Sequence, residues 1–169
     1  MPQPQFIPWR QISSWRCLSC GRCCKDYGVV LNFLEWLTIS QNFGAQTTVK
    51  GIDNLFLKRQ DDGSCTFLCH FAGDYLCALQ NLKPNACKIW PFKVLAEPKY
   101  GQPKEAAFNF AGKTLFLYAD GNCGGLRYGN PTWEFSTMTL REFAGIAVGV
   151  YKQQRSSTRR SARYGRRIV

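Results

Sequence analysis

A chain of 169 residues with 45% hydrophobic and 14% aromatic content can bury one real core, which excludes disorder throughout and leads us to expect one domain. Nine cysteines are too sparse for a minimal disulfide scaffold, and an odd number cannot pair completely. The formal charge of +11 is mostly local: Lys152, Arg155, Arg159, Arg160, Arg163, Arg166 and Arg167 carry +7 with no intervening acid, leaving +4 for residues 1–151.

Residues 1–16 set Pro2, Pro4 and Pro8 beside Phe6, Trp9 and Trp15, the composition of an extended arm that lays aromatics on a core. Their start lacks a basic-then-apolar run and does not read as a signal peptide. The best apolar stretch, residues 143–151, is far shorter than the roughly 20 residues that span a bilayer, so no transmembrane segment is expected. A cytoplasmic, reducing setting follows, in which clustered thiols point to metal or redox chemistry.

Chemistry begins at Cys17, where Cys17, Cys20, Cys23 and Cys24 form a C-x2-C-x2-C-C run. Two intervening residues let the chain curl so that both thiolates approach one ion, and Gly21 relieves the tight turn and lets backbone N–H groups point at sulfur. Adjacent Cys23 and Cys24 are expected to aim apart and to serve separate metals, separate irons of one cluster, or as ligand and reserve.

Val30, Leu31, Phe33, Leu34 and Leu37 then define a broad apolar face, read as a helix over residues 29–40, although the β-branched and aromatic content also permits a strand. The turn Asp61-Asp62-Gly63-Ser64 delivers the chain into a second group, Cys65, Cys69, Cys77 and Cys87. Short β-prone runs at 106–110 and 114–119, separated by Ala111-Gly112-Lys113, predict a hairpin. Cys123 follows in a loop where Gly124 and Gly125 permit close backbone approach. Thr139 and Glu142 form a capping-box pattern ahead of Leu140, Phe143, Ala144, Ala147, Val148 and Tyr151, which predicts a C-terminal helix. From Lys152 onward little can be buried, so residues 152–169 read as a basic, disordered tail able to meet RNA, DNA or another polyanion.

The expected fold is α+β: a small single domain over residues 17–151, organised around a cysteine-ligated metal site, with a β-hairpin and a C-terminal helix. His70, the lone histidine, reads as an ordinary turn residue beside Cys69, and Trp36, Trp90 and Trp133 as core or site-shielding aromatics. No nucleophile-base-acid set, phosphate-binding glycine loop or nucleotide fingerprint marks an enzyme.

The run Cys17 to Cys24, the segments Cys65 to Leu68 and Cys77 to Phe92, and Cys123-Gly124 together resemble the CxxCxxCC, or YkgJ-like, cysteine-cluster family over about residues 17–126. The typical second motif of that family is matched at Cys77, Pro84, Cys87 and Pro91, with Lys83 and Lys88 where arginine is usual and Ala78-Leu79-Gln80 in place of an apolar-aromatic stretch. Cys69 lies off the pattern. The resemblance implies a zinc- or iron-chelating domain with Cys17, Cys20, Cys23, Cys24, Cys65, Cys77, Cys87 and Cys123 as its thiols, enough for two four-coordinate sites. A C-x2-C-x2-C run with a remote fourth cysteine also holds [4Fe-4S] clusters, so the cofactor expected is an iron-sulfur cluster or zinc. Three functions compete: a metal-binding protein in redox chemistry or metal handling, a structural-zinc module that meets RNA or the ribosome through its tail, and a cluster-dependent enzyme resembling a methyltransferase.

Overall fold

The computed structural model describes residues 5–155. Strands β1 (Phe6–Pro8) and β2 (Ile12–Trp15) open the chain and lead to a one-turn helix, α1 (Arg22–Lys25). Then come β3 (Val30–Leu31), α2 (Phe33–Phe43), β4 (Thr48–Lys50), β5 (Leu55–Leu57), β6 (Leu68–Phe71), β7 (Asp74–Cys77) and the short α3 (Asn85–Ile89). The remainder is β8 (Phe92–Leu95), α4 (Pro103–Ala106), β9 (Ala107–Phe110), β10 (Lys113–Asp120), β11 (Leu126–Tyr128) and α5 (Leu140–Ala147). The fold class is α+β, as expected. The chain gathers into two compact units, one built from the described parts of 1–18 and 88–159 and the other from 19–87. We call them the bracketing and the inserted unit.

In the bracketing unit β10 is the organising strand. Its first half pairs with β9, its second half with β1, and β8 lies along its other edge, all antiparallel. Strand alternation sends Leu115, Leu117 and Ala119 into a core with Trp15, Phe92 and Phe143. Tyr118 is equally buried on the opposite face, where its hydroxyl donates to the Gly101 carbonyl at 2.6 Å. The predicted hairpin is present: Ala111 and Gly112 both have positive φ, the signature of the two-residue turn whose twist matches the flanking strands. The predicted C-terminal helix is present too, although its capping differs. Thr139 is already helical and caps nothing through its side chain, because a π-turn at Phe135–Thr139 runs straight into α5. Thr132 caps instead, its Oγ1 accepting from the Phe135 N–H.

The inserted unit is built from smaller pieces. A three-stranded antiparallel sheet in the order β3-β5-β4 accompanies α2, and β6 and β7 form a separate hairpin. The helix starts later than the apolar face implies, because Asn32 and Glu35 close a capping box. Val30 and Leu31 are strand as a result, and Phe33 and Leu34 are exposed. Ile39 is the one fully buried residue of α2, joining Val29, Leu31, Leu57, Cys65, Phe67 and Leu79 in a small core. No helix of the described residues is long and apolar enough to cross a membrane. Most of the expected tail, residues 156–169, lies outside the described residues.

Candidate metal centre

Backbone geometry in the inserted unit brings three separate cysteine segments together. Gly21 adopts φ +70°, which starts α1 and sets Cys23 and Cys24 on one turn. A Cβ at Gly21 would lie 2.8 Å from Tyr75 Cγ, so glycine is required for space as well as for its dihedral. The Tyr75 N–H donates to the Ser19 carbonyl, tying the β6–β7 hairpin to the first cysteine run. The Cys65 N–H donates to the Cys24 carbonyl at 2.7 Å, and the Leu68 N–H to the Cys65 carbonyl. Arg59, whose guanidinium donates to the carbonyls of Lys25 and Tyr27, holds the loop that leaves α1. Cys77 ends β7 opposite Leu68, and Cys87 arrives on α3 after a 3-10 turn at Gln80–Leu82.

Cys23 and Cys24 do not aim apart. Their sulfurs lie 3.8 Å from one another, because both project from one short turn. The Cys24 side chain hydrogen-bonds Cys23 and lowers its thiol to about 7, with further help from Lys83 and backbone N–H groups, against the cost of burial. Cys24 is pushed up correspondingly by the proton it keeps for Cys23, then by burial and by the neighbouring Cys77 and Cys65. Burial is the main cause that raises Cys65, Cys77 and, most strongly, Cys87, and each also feels Cys23. The Phe67 N–H donates to Cys65 and the Leu79 N–H to Cys77, each lowering its thiol. Such N–H groups two residues beyond a cysteine favour thiolate over thiol. Five thiols therefore share one electrostatic neighbourhood: Cys23, Cys24, Cys65, Cys77 and Cys87.

The other predicted ligands lie elsewhere. Cys17 and Cys123 both pack against the core of the bracketing unit. The β2–β11 ladder aligns their loops, with Trp15 opposite Leu126 and the Arg16 N–H bonded to the Gly125 carbonyl. A Cβ at Gly125 would lie 2.1 Å from the Arg16 carbonyl oxygen, so this glycine is where the two backbones meet. Trp15 Nε1–H donates to Cys123 Sγ at 3.4 Å. Cys20 is exposed, and so is Cys69 on β6. His70 belongs to β6 rather than to a turn and rests against Tyr75. Trp133 is exposed and shields neither core nor site.

The donor chemistry fits a thiophilic ion: sulfur donors, half-buried or buried, one pair already in contact, and N–H groups aimed at sulfur. Among the described residues, no three His, Cys, Asp or Glu side chains form a ready metal cage. Sequence reasoning missed the Phe67 and Leu79 N–H donors, which a cysteine-plus-two spacing could have flagged. It also read Lys83 only as a replacement for arginine. Lys83 is in fact buried, 5% exposed, and acts electrostatically on Cys23, Cys77 and Cys87.

The model of the CxxCxxCC family, described as "Putative zinc- or iron-chelating domain", matches residues 16–124, more than half of the chain. The protein belongs to this family. No curated protein and no solved structure matches the chain.

Proposed function

We propose that the protein is a metal-chelating module whose inserted unit holds one ion through four thiolates drawn from Cys23, Cys24, Cys65, Cys77 and Cys87. The observation that carries this reading is the 3.8 Å separation of the Cys23 and Cys24 sulfurs. Two thiolates on one tetrahedral zinc, each about 2.3 Å from the ion, are about 3.8 Å apart. That separation favours a mononuclear zinc or ferrous site over an arrangement in which these two cysteines hold different irons. The role of the chain is to bring the sulfurs into one buried pocket, to supply N–H donors that favour thiolate, and to exclude water. The ion itself would supply cross-linking of the inserted unit or Lewis-acid chemistry.

The expected signature is one tightly held ion per chain in protein purified without oxygen, colourless for zinc. Cys87→Ser loses that ion and lowers stability, whereas Cys69→Ser and Cys20→Ser retain it. Metal analysis and thermal melts of the three variants test the assignment, and equal losses at Cys69 and Cys87 reject it. Brown protein with several irons per chain points instead to a cluster.

A further inference from the structure

Beyond α5 the chain folds back along its own helix. Gly149 takes φ +80°, a conformation that favours glycine, and the Val150 and Tyr151 N–H groups both donate to the Gly145 carbonyl, at 2.8 and 3.0 Å. Gly145 also seats the tyrosine ring: a Cβ there would lie 2.1 Å from Tyr151 Cδ2. Nearer the start of the helix, Glu142, only 8% exposed, accepts the Arg155 N–H at 2.6 Å through Oε1. The Lys88 ammonium donates to the Lys152 carbonyl at 3.2 Å, and the Gln154 amide to the Lys88 carbonyl at 3.4 Å. Residues 150–155 are thereby held as a wall, and between it and the helix lies a cleft of about 600 Å³. That is the size of a small-molecule site.

The lining selects an anion. Its charged residues are Arg141, Lys152, Arg155 and Glu142, three cations to one carboxylate, a formal +2. Among the described residues none of these three cations is in an ion pair. Arg141 is preset by packing on Phe110, its guanidinium 5.5 Å from the ring centroid. A phosphate monoester brings a charge of about −1.5 to −2 at neutral pH and three acceptor oxygens, which matches this balance better than a single carboxylate does. Guanidinium groups bind such oxygens in pairs. Apolar surface in the cleft comes from Met138, Val150 and Tyr151, all exposed. A tyrosine ring and a thioether favour an aromatic body over an alkyl one, because bases stack on the first and the second is attracted to aromatic rings.

We propose that this cleft binds a phosphate monoester carried on an aromatic body, the chemistry of a nucleoside monophosphate. Arg141, Lys152 and Arg155 hold the phosphate, and Met138 and Tyr151 receive the base. The site lies wholly within the bracketing unit and is independent of the metal-chelating reading.

The test adds AMP to the full chain. Met138 is one of two methionines, so methyl-labelled methionine gives a nearly isolated NMR reporter in the cleft. Its signal should shift and saturate with AMP. Calorimetry should show AMP binding roughly tenfold or more tightly than inorganic phosphate or adenosine, since each half lacks the contacts of the other. Arg141→Gln should weaken AMP roughly 10- to 100-fold, the loss of a charge-assisted hydrogen bond, and leave adenosine unchanged. Lys113→Gln, at the β9–β10 turn, should leave AMP unchanged.

No shift of Met138 at millimolar AMP overturns the proposal, whatever the variants do. Octyl phosphate that binds as tightly as AMP overturns the aromatic body. Equal loss of AMP in Arg141→Gln and Lys113→Gln marks general charge attraction and overturns the cleft as the site. A single-stranded oligonucleotide that binds while AMP neither binds nor competes marks a strand site and overturns the proposal as well.

Discussion

The bracketing unit and the inserted unit are stabilised by different physics. The first buries Ile12, Phe92, Leu117, Phe143 and Leu140 almost completely, around a strand eight residues long. Of the largest side chains so deeply buried among the described residues, the second contributes only Ile39 and Pro84. Its core is completed by thiols. A thiol is a small hydrophobe that contributes modestly while protonated and far more once it binds metal. The bracketing unit thus has an apolar core of its own, whereas the inserted unit, on the metal-chelating reading proposed above, would draw much of its stability from an ion.

Removing metal separates the two most sharply. Chelation should cost the inserted unit up to about 10 kcal/mol, the scale on which structural zinc contributes to small domains. Hydrogen exchange should then rise across residues 19–87 while β8 and β10 keep their protection; uniform loss in both units would break the distinction. The converse perturbation is Phe143→Ala, which empties the bracketing core and should cost about 3–5 kcal/mol in a denaturant melt. Metal content should stay unchanged. Gly21→Ala probes the scaffold of the thiol site and combines a strained positive φ with a Cβ pressed on Tyr75. A loss of about 1–3 kcal/mol, with weaker metal retention, is expected from the two effects together.

The gentlest test is pH. In metal-free protein, iodoacetamide should modify Cys23 with a midpoint of about 7. The rate falls below that pH, as the thiolate takes up its proton. Stability has the opposite sign at Cys65, Cys77 and Cys87, whose thiols are raised by burial. Their contribution is fully present below the unfolded thiol value of about 9 and is lost as pH rises beyond it. Cys23, being lowered, contributes above about 9 and loses its contribution as pH falls through 7. Melts of the metal-free protein between pH 8 and 10 should therefore show net destabilisation on the alkaline side.

Local chemistry was legible in the sequence wherever short-range rules decide. The β-prone runs at 106–110 and 114–119 on either side of Ala111-Gly112 announce their hairpin, and Gly21 and Gly125 announce tight backbone. Longer-range consequences were less visible. Val30 and Phe33 form an apolar stripe that reads as helix face, yet the Asn32–Glu35 box starts the helix between them and leaves Phe33 in solvent. Thr139 and Glu142 match a cap, but a helix already under way from Trp133 overrides them. The family resemblance supplied the eight thiols as a set, whereas the grouping of Cys17 with Cys123, apart from exposed Cys20 and from the five clustered thiols of the inserted unit, depends on strand pairing over more than a hundred residues. Burial of Lys83 has no sequence signal, since lysine in a turn is ordinarily solvated.

The order of assembly is implicit in the pairing of β1 with β10, which joins Phe6 to Asp120. A ribosome emits residues in sequence, so Cys23, Cys24, Cys65, Cys77 and Cys87 all exist before the partner of β1 has been made. At about 5–20 residues per second, the stretch from Cys87 to Asp120 takes a few seconds. During that interval the nascent chain already holds every sulfur donor of the inserted unit, while its first strand still has no sheet to join.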